Sequence, residues 1–117
     1  MKYILPFLAL LATPAQSDPP VIEAVKPSHS EAGWRFDVTL RHPDTGWDHY
    51  ADAWEVISPD GTVLGTRLLA HPHVDEQPFS RSLGGISVPD GVDIVQIRAR
   101  CSVDGWANAP FSVALSN

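Results

Sequence analysis

From Gly33 to Arg41 apolar and polar residues alternate without a break. Trp34, Phe36, Val38 and Leu40 fall on one face, and Arg35, Asp37, Thr39 and Arg41 on the other. Successive side chains of an extended backbone point to opposite faces, so this period of two dictates a strand with one buried face. Asp93 to Val103 repeats the pattern. Val95, Ile97, Ala99, Cys101 and Val103 are expected inward there, and Gln96, Arg98, Arg100 and Ser102 outward. No stretch carries a long helical pattern. Eleven prolines and eight glycines instead cut the chain into short runs, which favours strands joined by turns.

Five more strands follow from the same reasoning, at residues 21–25, 53–58, 62–69, 79–87 and 111–115. Ser58-Pro59-Asp60-Gly61 and Pro89-Asp90-Gly91 are strong turn signals, because proline presets φ and glycine tolerates positive φ. Seven short strands in about 100 residues predict an all-β, antiparallel two-sheet sandwich. The pattern resembles the immunoglobulin and fibronectin type III superfamily in architecture, across residues 20–116. The Trp54 strand is comparable in position to the core tryptophan strand of that class. The paired cysteines of antibody domains are absent, because Cys101 is the only cysteine. The run His71-Pro-His-Val-Asp-Glu-Gln-Pro-Phe79 is similar to small exported bacterial proteins, a likeness that implies no activity.

The first residues read as a secretory signal peptide. Lys2 supplies a short positive region, and Tyr3 to Ala12 is an uncharged apolar run of about ten residues, where a membrane-crossing helix needs about 20. Small residues offer cleavage after Ala15 or after Ser17. The expectation is therefore a leader at 1–17 and one domain at 18–117, exported to a periplasm or secreted. Cys101 lies far from the cleavage region, so no lipid-attachment cysteine is expected there, and the mature form is expected off the membrane. Removal of Lys2 leaves seven basic groups against fourteen acidic ones. Such a balance repels phosphate backbones, so nucleic acid is not an expected partner.

Strand parity then locates the chemistry. In a sandwich of alternating strands, alternate loops share an end. One end is expected to hold residues 27–32 and the two Pro-Asp-Gly turns. The other gathers residues 42–52, 70–77 and 104–108, which carry four of the five histidines, two of the four tryptophans and six carboxylates. Loops on a rigid scaffold commonly carry binding residues.

His71 and His73, two apart in extended backbone, can project to one side and share an ion, although Pro72 favours polyproline geometry that would rotate the rings apart. His42 or His49 could add a third nitrogen. Asp48, Asp75 or Glu76 could supply oxygen or orient a ring. Mixed nitrogen and oxygen ligands suit zinc or oxidised copper. The bland alternative is that these histidines satisfy loop carbonyls and carboxylates.

A blue-copper reading fails on ligands, because that set commonly takes a cysteine, two histidines and often an axial methionine. Met1 leaves with the leader, and the inward register of Cys101 favours core packing, although a histidine–thiolate site is conceivable. Trp47 and Trp106 each follow a glycine in these loops and could hold a protein or glycan, or simply cap the core. No Gly-x-Ser-x-Gly, His-Glu-x-x-His or phosphate-loop motif occurs. The expected function is a non-enzymatic exported binding module, for a metal ion or, alternatively, for a protein or glycan partner.

Overall fold

The computed structural model describes residues 19–116, so the leader expected at 1–17 lies outside the described residues. The chain runs β1 (Val21–Ser30), β2 (Gly33–Arg41), β3 (Ala51–Ile57), β4 (Val63–Leu68), β5 (Phe79–Ile86), β6 (Ile94–Cys101), β7 (Gly105–Trp106) and β8 (Phe111–Ala114). All pairings are antiparallel. One sheet has the order β1-β2-β5. The other has the order β4-β3-β6, with β7 and β8 both pairing the far side of β6. Two antiparallel sheets over one shared core make the arrangement of a β-sandwich.

The core follows from the alternation. Trp34, Phe36, Val38 and Leu40 of β2 are buried and meet Trp54 and Val56 of β3 and Val95, Ile97 and Ala99 of β6. Phe36, Val38, Leu40, Trp54 and Ile97 expose no surface, and each large apolar side chain so buried contributes about 1.5–3 kcal/mol. Arg35, Asp37, Ser82, Thr39 and Ser80 occupy the outer face of the first sheet. There Asp37 accepts hydrogen bonds from the Ser82 hydroxyl and from Arg35 Nε (3.0 Å).

Three departures from the expected strands are found, the last two of them at the histidine-rich end. The first strand is longer than expected and runs to Ser30, pairing with β2 down to Ser30 opposite Gly33. Residues 104–108 hold a short strand, β7, where the sequence predicts a loop; Gly105 and Trp106 pair with Cys101 and Arg100. Val103, expected inward, is 61% exposed. The inward register of β6 ends at Cys101, and residues 102–104 form the turn into β7.

Where β3 meets β6, an irregularity beside Asp52 sets Ala51 opposite Cys101 and Ala53 opposite Arg100. The extra residue shifts the parity of β3. Both Ala51 and Trp54 therefore face inward, and the start of β3 is drawn against the end of β6.

Candidate metal site

The β2–β3 connection is built by two local devices. A tight turn closes from Gly46 to His49, with Thr45 N–H donating to His49 O (3.0 Å) and His49 N–H to Gly46 O (3.1 Å). Gly46 has φ +148°, a conformation that side chains rarely adopt. The turn holds Trp47 and Asp48 outward and returns His49 toward the protein.

The second device is Asp44, whose side chain has no exposed surface. Its Oδ1 accepts from His42 Nδ1 (2.5 Å) and from Ala51 N–H (3.0 Å), and its Oδ2 accepts from His73 N–H (2.8 Å). Gln77 bridges the same two loops, its Oε1 accepting from His42 N–H (2.9 Å) and its Nε2 donating to His73 O (2.8 Å). A buried carboxylate needs such donors to offset its desolvation. One carboxylate thus ties together the segments before β3 and before β5.

These constraints bring His42, His49 and Cys101 together. One ligand atom from each lies within 4.8 Å of the others. The two imidazoles meet edge to face, with centroids 4.8 Å apart. His42 and Cys101 expose no surface. The Nε2 atoms of His42 and His49 are both buried and without a hydrogen-bond partner, an expensive state for a polar atom. As a neutral imidazole that donates from Nδ1 to Asp44, His42 carries its free lone pair on Nε2. Carboxylate–histidine pairs of this kind fix the tautomer and ring orientation of metal-ligating histidines. The Cys101 sulfur accepts Val103 N–H at 3.5 Å.

The inward register of Cys101, which in the sequence favours packing, points the thiol into the space where the two imidazoles lie. Sequence alone could not bring Cys101 to His42, because the Ala51–Cys101 alignment depends on the irregularity at Asp52. The available signal was the position of Cys101 at the end of its strand.

His71 and His73 lie beside this cluster. Their rings are 4.6 Å apart, but His73 also stacks on Phe79 (3.9 Å) and its Nε2 accepts from Arg81 Nη2 at 2.7 Å. His73 Nδ1 is buried, 3.9 Å from Asp44 Oδ2. Burial, and then the Arg81 and His71 charges, hold His73 below the usual imidazole range, against the opposing pull of Asp44 and Glu76. His71 is exposed, its Nδ1 3.1 Å from Pro72 O. Asp48 and Asp75 are exposed, and Glu76 pairs with Arg81 at 3.4 Å.

Trp47 is 67% exposed and stands edge-on to Tyr50. Trp106 is half-buried under the Arg98 guanidinium, 4.8 Å from its ring centroid, with Arg100 at 6.0 Å.

Over 93 residues the chain is 38% identical to a protein of Halomicrobium mukohataei named "Putative lipoprotein", a match that spans 80% of this chain and 45% of that relative. The chain thus covers less than half of the relative's length. No family model and no solved structure matches the chain. Among the described residues no helix is long and apolar enough to cross a membrane.

Proposed function

We propose that this chain is a non-enzymatic exported module that binds a transition-metal ion through His42 Nε2, His49 Nε2 and Cys101 Sγ, with Asp44 orienting His42. The observation that carries this reading is the pair of buried, partnerless Nε2 atoms beside a buried thiol. Six buried side-chain polar atoms lack a partner among the described residues; those of His42 and His49 belong to the pair that groups with a thiol, and a metal ion satisfies both at once. Metal–nitrogen and metal–sulfur bonds of about 2.0 and 2.3 Å place such ligands about 3.5 Å apart. The site therefore closes by about 1 Å across its widest separation on loading.

Export is supported by the apolar run at residues 3–12 and by the name of the Halomicrobium relative. The immunoglobulin and fibronectin type III likeness is supported by the sheet orders, a three-stranded β1-β2-β5 layer facing one centred on β3 and β6.

Calorimetric titration of reduced, metal-stripped protein with zinc and with copper tests the reading. One saturable site is expected. It is expected to be lost in Cys101→Ser and in His42→Ala, and retained in His71→Ala with His73→Ala. Absence of saturable heat for both metals overturns it.

A second reading, a protein- or glycan-binding surface, draws support from a groove of about 430 Å³ whose lining includes Pro20, Ile22, Trp106 and Phe111. Aromatic rings in such a groove can stack on a sugar face. Glycan-array screening of the protein against its Trp106→Ala variant tests it, and a blank array for both rejects the glycan form of the idea.

A further inference from the structure

We infer that the His42–His49–Cys101 site is a one-electron copper centre of trigonal His₂Cys geometry; this rests on the metal-binding reading of the same three residues. Three features select copper over zinc. First, the donor set stops at three. Among the described residues only His42, His49 and Cys101 form a group of three ligands within reach of one another. Asp44, which touches His42, already accepts from His42, Ala51 and His73. Structural zinc takes four protein ligands, whereas two histidines and a thiolate in a trigonal array make the set of copper electron-transfer sites.

Second, the site is dry. His42 and Cys101 expose no surface, and both free Nε2 atoms are inaccessible. A catalytic zinc keeps an open position for water or substrate, and no ligand atom here faces solvent. Third, the sulfur is held by an amide. Val103 N–H points to Cys101 Sγ at 3.5 Å. Hydrogen bonding at the cysteine sulfur stabilises its thiolate form and tunes the potential of a copper–thiolate bond. The axial methionine of the familiar set is a weak, long ligand, and with no methionine among the described residues the three strong bonds are still complete.

The chemistry balances without proton transfer or bond rearrangement. Cu(II) bound to the thiolate and two neutral imidazoles takes one electron from a one-electron donor and becomes Cu(I), with the same three atoms bound. A one-electron acceptor reverses the step. The buried sulfur cannot meet the Cys101 of a second copy, which removes the simplest route by which Cu(II) would consume the thiol as a disulfide. Zinc, having no accessible second oxidation state, can occupy the site but cannot perform this step.

The test is anaerobic addition of one equivalent of Cu(II) to reduced, metal-free protein, followed by visible absorption and electron paramagnetic resonance. The expected result is an intense thiolate-to-copper charge-transfer band of one-to-one stoichiometry. It should bleach with ascorbate, return with ferricyanide through repeated cycles, and survive an added equivalent of zinc, which such nitrogen and sulfur sites bind more weakly than Cu(II). Cys101→Ser should lose the band completely, and so should His49→Gln, a second variant that keeps the thiol in case the first fails to fold. The His71→Ala, His73→Ala double variant should keep it. Zinc binding at this site without a copper–thiolate band, or loss of the thiol on the first copper addition, overturns the copper centre and leaves the metal-binding reading standing. Failure of both metals to bind overturns both.

Discussion

His42 and Asp44, two residues apart on the connection out of β2, are joined by a 2.5 Å Nδ1–Oδ1 hydrogen bond between side chains that expose no surface. The bond fixes which nitrogen of His42 faces Cys101. The same carboxylate receives the Ala51 and His73 amides, so it also holds the loops that frame the cluster. In the proposed site, structure and metal affinity therefore meet in one side chain.

Asp44→Asn tests this coupling. The carboxamide can still accept hydrogen bonds through its oxygen, but its NH₂ group cannot accept from a backbone amide, and the charge that favours Nδ1 protonation is gone. Metal affinity should fall about 10–100-fold. Unfolding free energy should fall by about 2 kcal/mol, the cost of leaving buried donors poorly paired. Competition against a chromophoric chelator and urea denaturation measure the two separately. Unchanged affinity in a folded variant would remove Asp44 from the site.

His73 predicts a pH dependence of stability. Its folded pKa is lowered, by burial first and by Arg81 next. Unfolded His73 takes up a proton below about pH 6.5, while folded His73 resists it. The unfolded state then binds more protons, so metal-free stability is level at neutral pH. It falls as pH drops through about 6.5, and goes on falling until the folded pKa is reached. In His73→Phe, which keeps the stack on Phe79, this part of the slope should vanish. Asp60 acts lower down: the Ser58 hydroxyl and Thr62 amide hold it at about 2. Its contribution is complete above about pH 3.9 and is lost as pH falls through 2. Chemical denaturation at pH 7.5, 6 and 5, all above the Asp60 window, reads His73 apart from Asp60, and an identical slope in His73→Phe would reject the assignment.

The strand β2 was legible to the residue, because strict alternation from Trp34 to Arg41 fixes both the element and its buried face. The parity of the loops was legible too, since Asp44 does bond the loop that carries His73. The grouping of His42, His49 and Cys101 was not. His71-x-His73 is conspicuous in sequence, whereas His42, His49 and Cys101 are scattered. What unites them is a turn at Gly46, an irregularity at Asp52 and a carboxylate network, all of which depend on tertiary contacts. Gly105-Trp106 reads as loop for a similar reason. Its two residues carry no periodicity, and only pairing with Arg100 and Cys101 makes them a strand.

Gly33 opens β2 at φ +108°, and a Cβ there would lie 2.8 Å from the Ile86 carbonyl oxygen. Alanine must accept both a disfavoured φ and a displaced neighbouring backbone. Gly33→Ala should destabilise the fold by about 2–3 kcal/mol. Gly85, at φ +66° with its nearest obstacle 4.0 Å away, bears only the conformational cost, so Gly85→Ala should lose about 1–2 kcal/mol. Denaturant midpoints at constant m report the difference, and equal losses would show that the Ile86 contact is immaterial.

Glu55 and Arg98 face each other across β3 and β6, with two hydrogen bonds of 2.5 and 3.0 Å to one carboxylate oxygen. The carboxylate side is 5% exposed and the guanidinium side 34%. Removing the arginine alone strands a buried charge, whereas replacing both partners removes the need for either. Arg98→Met should therefore cost about 3 kcal/mol. The double variant Glu55→Gln, Arg98→Met should recover more than half of that loss. Arg98 also covers Trp106, so the single variant should raise quenching of tryptophan fluorescence by acrylamide, and Glu55→Gln should not. A double-mutant cycle with no coupling energy would mean that the pair is held in place by the strands without contributing to their stability.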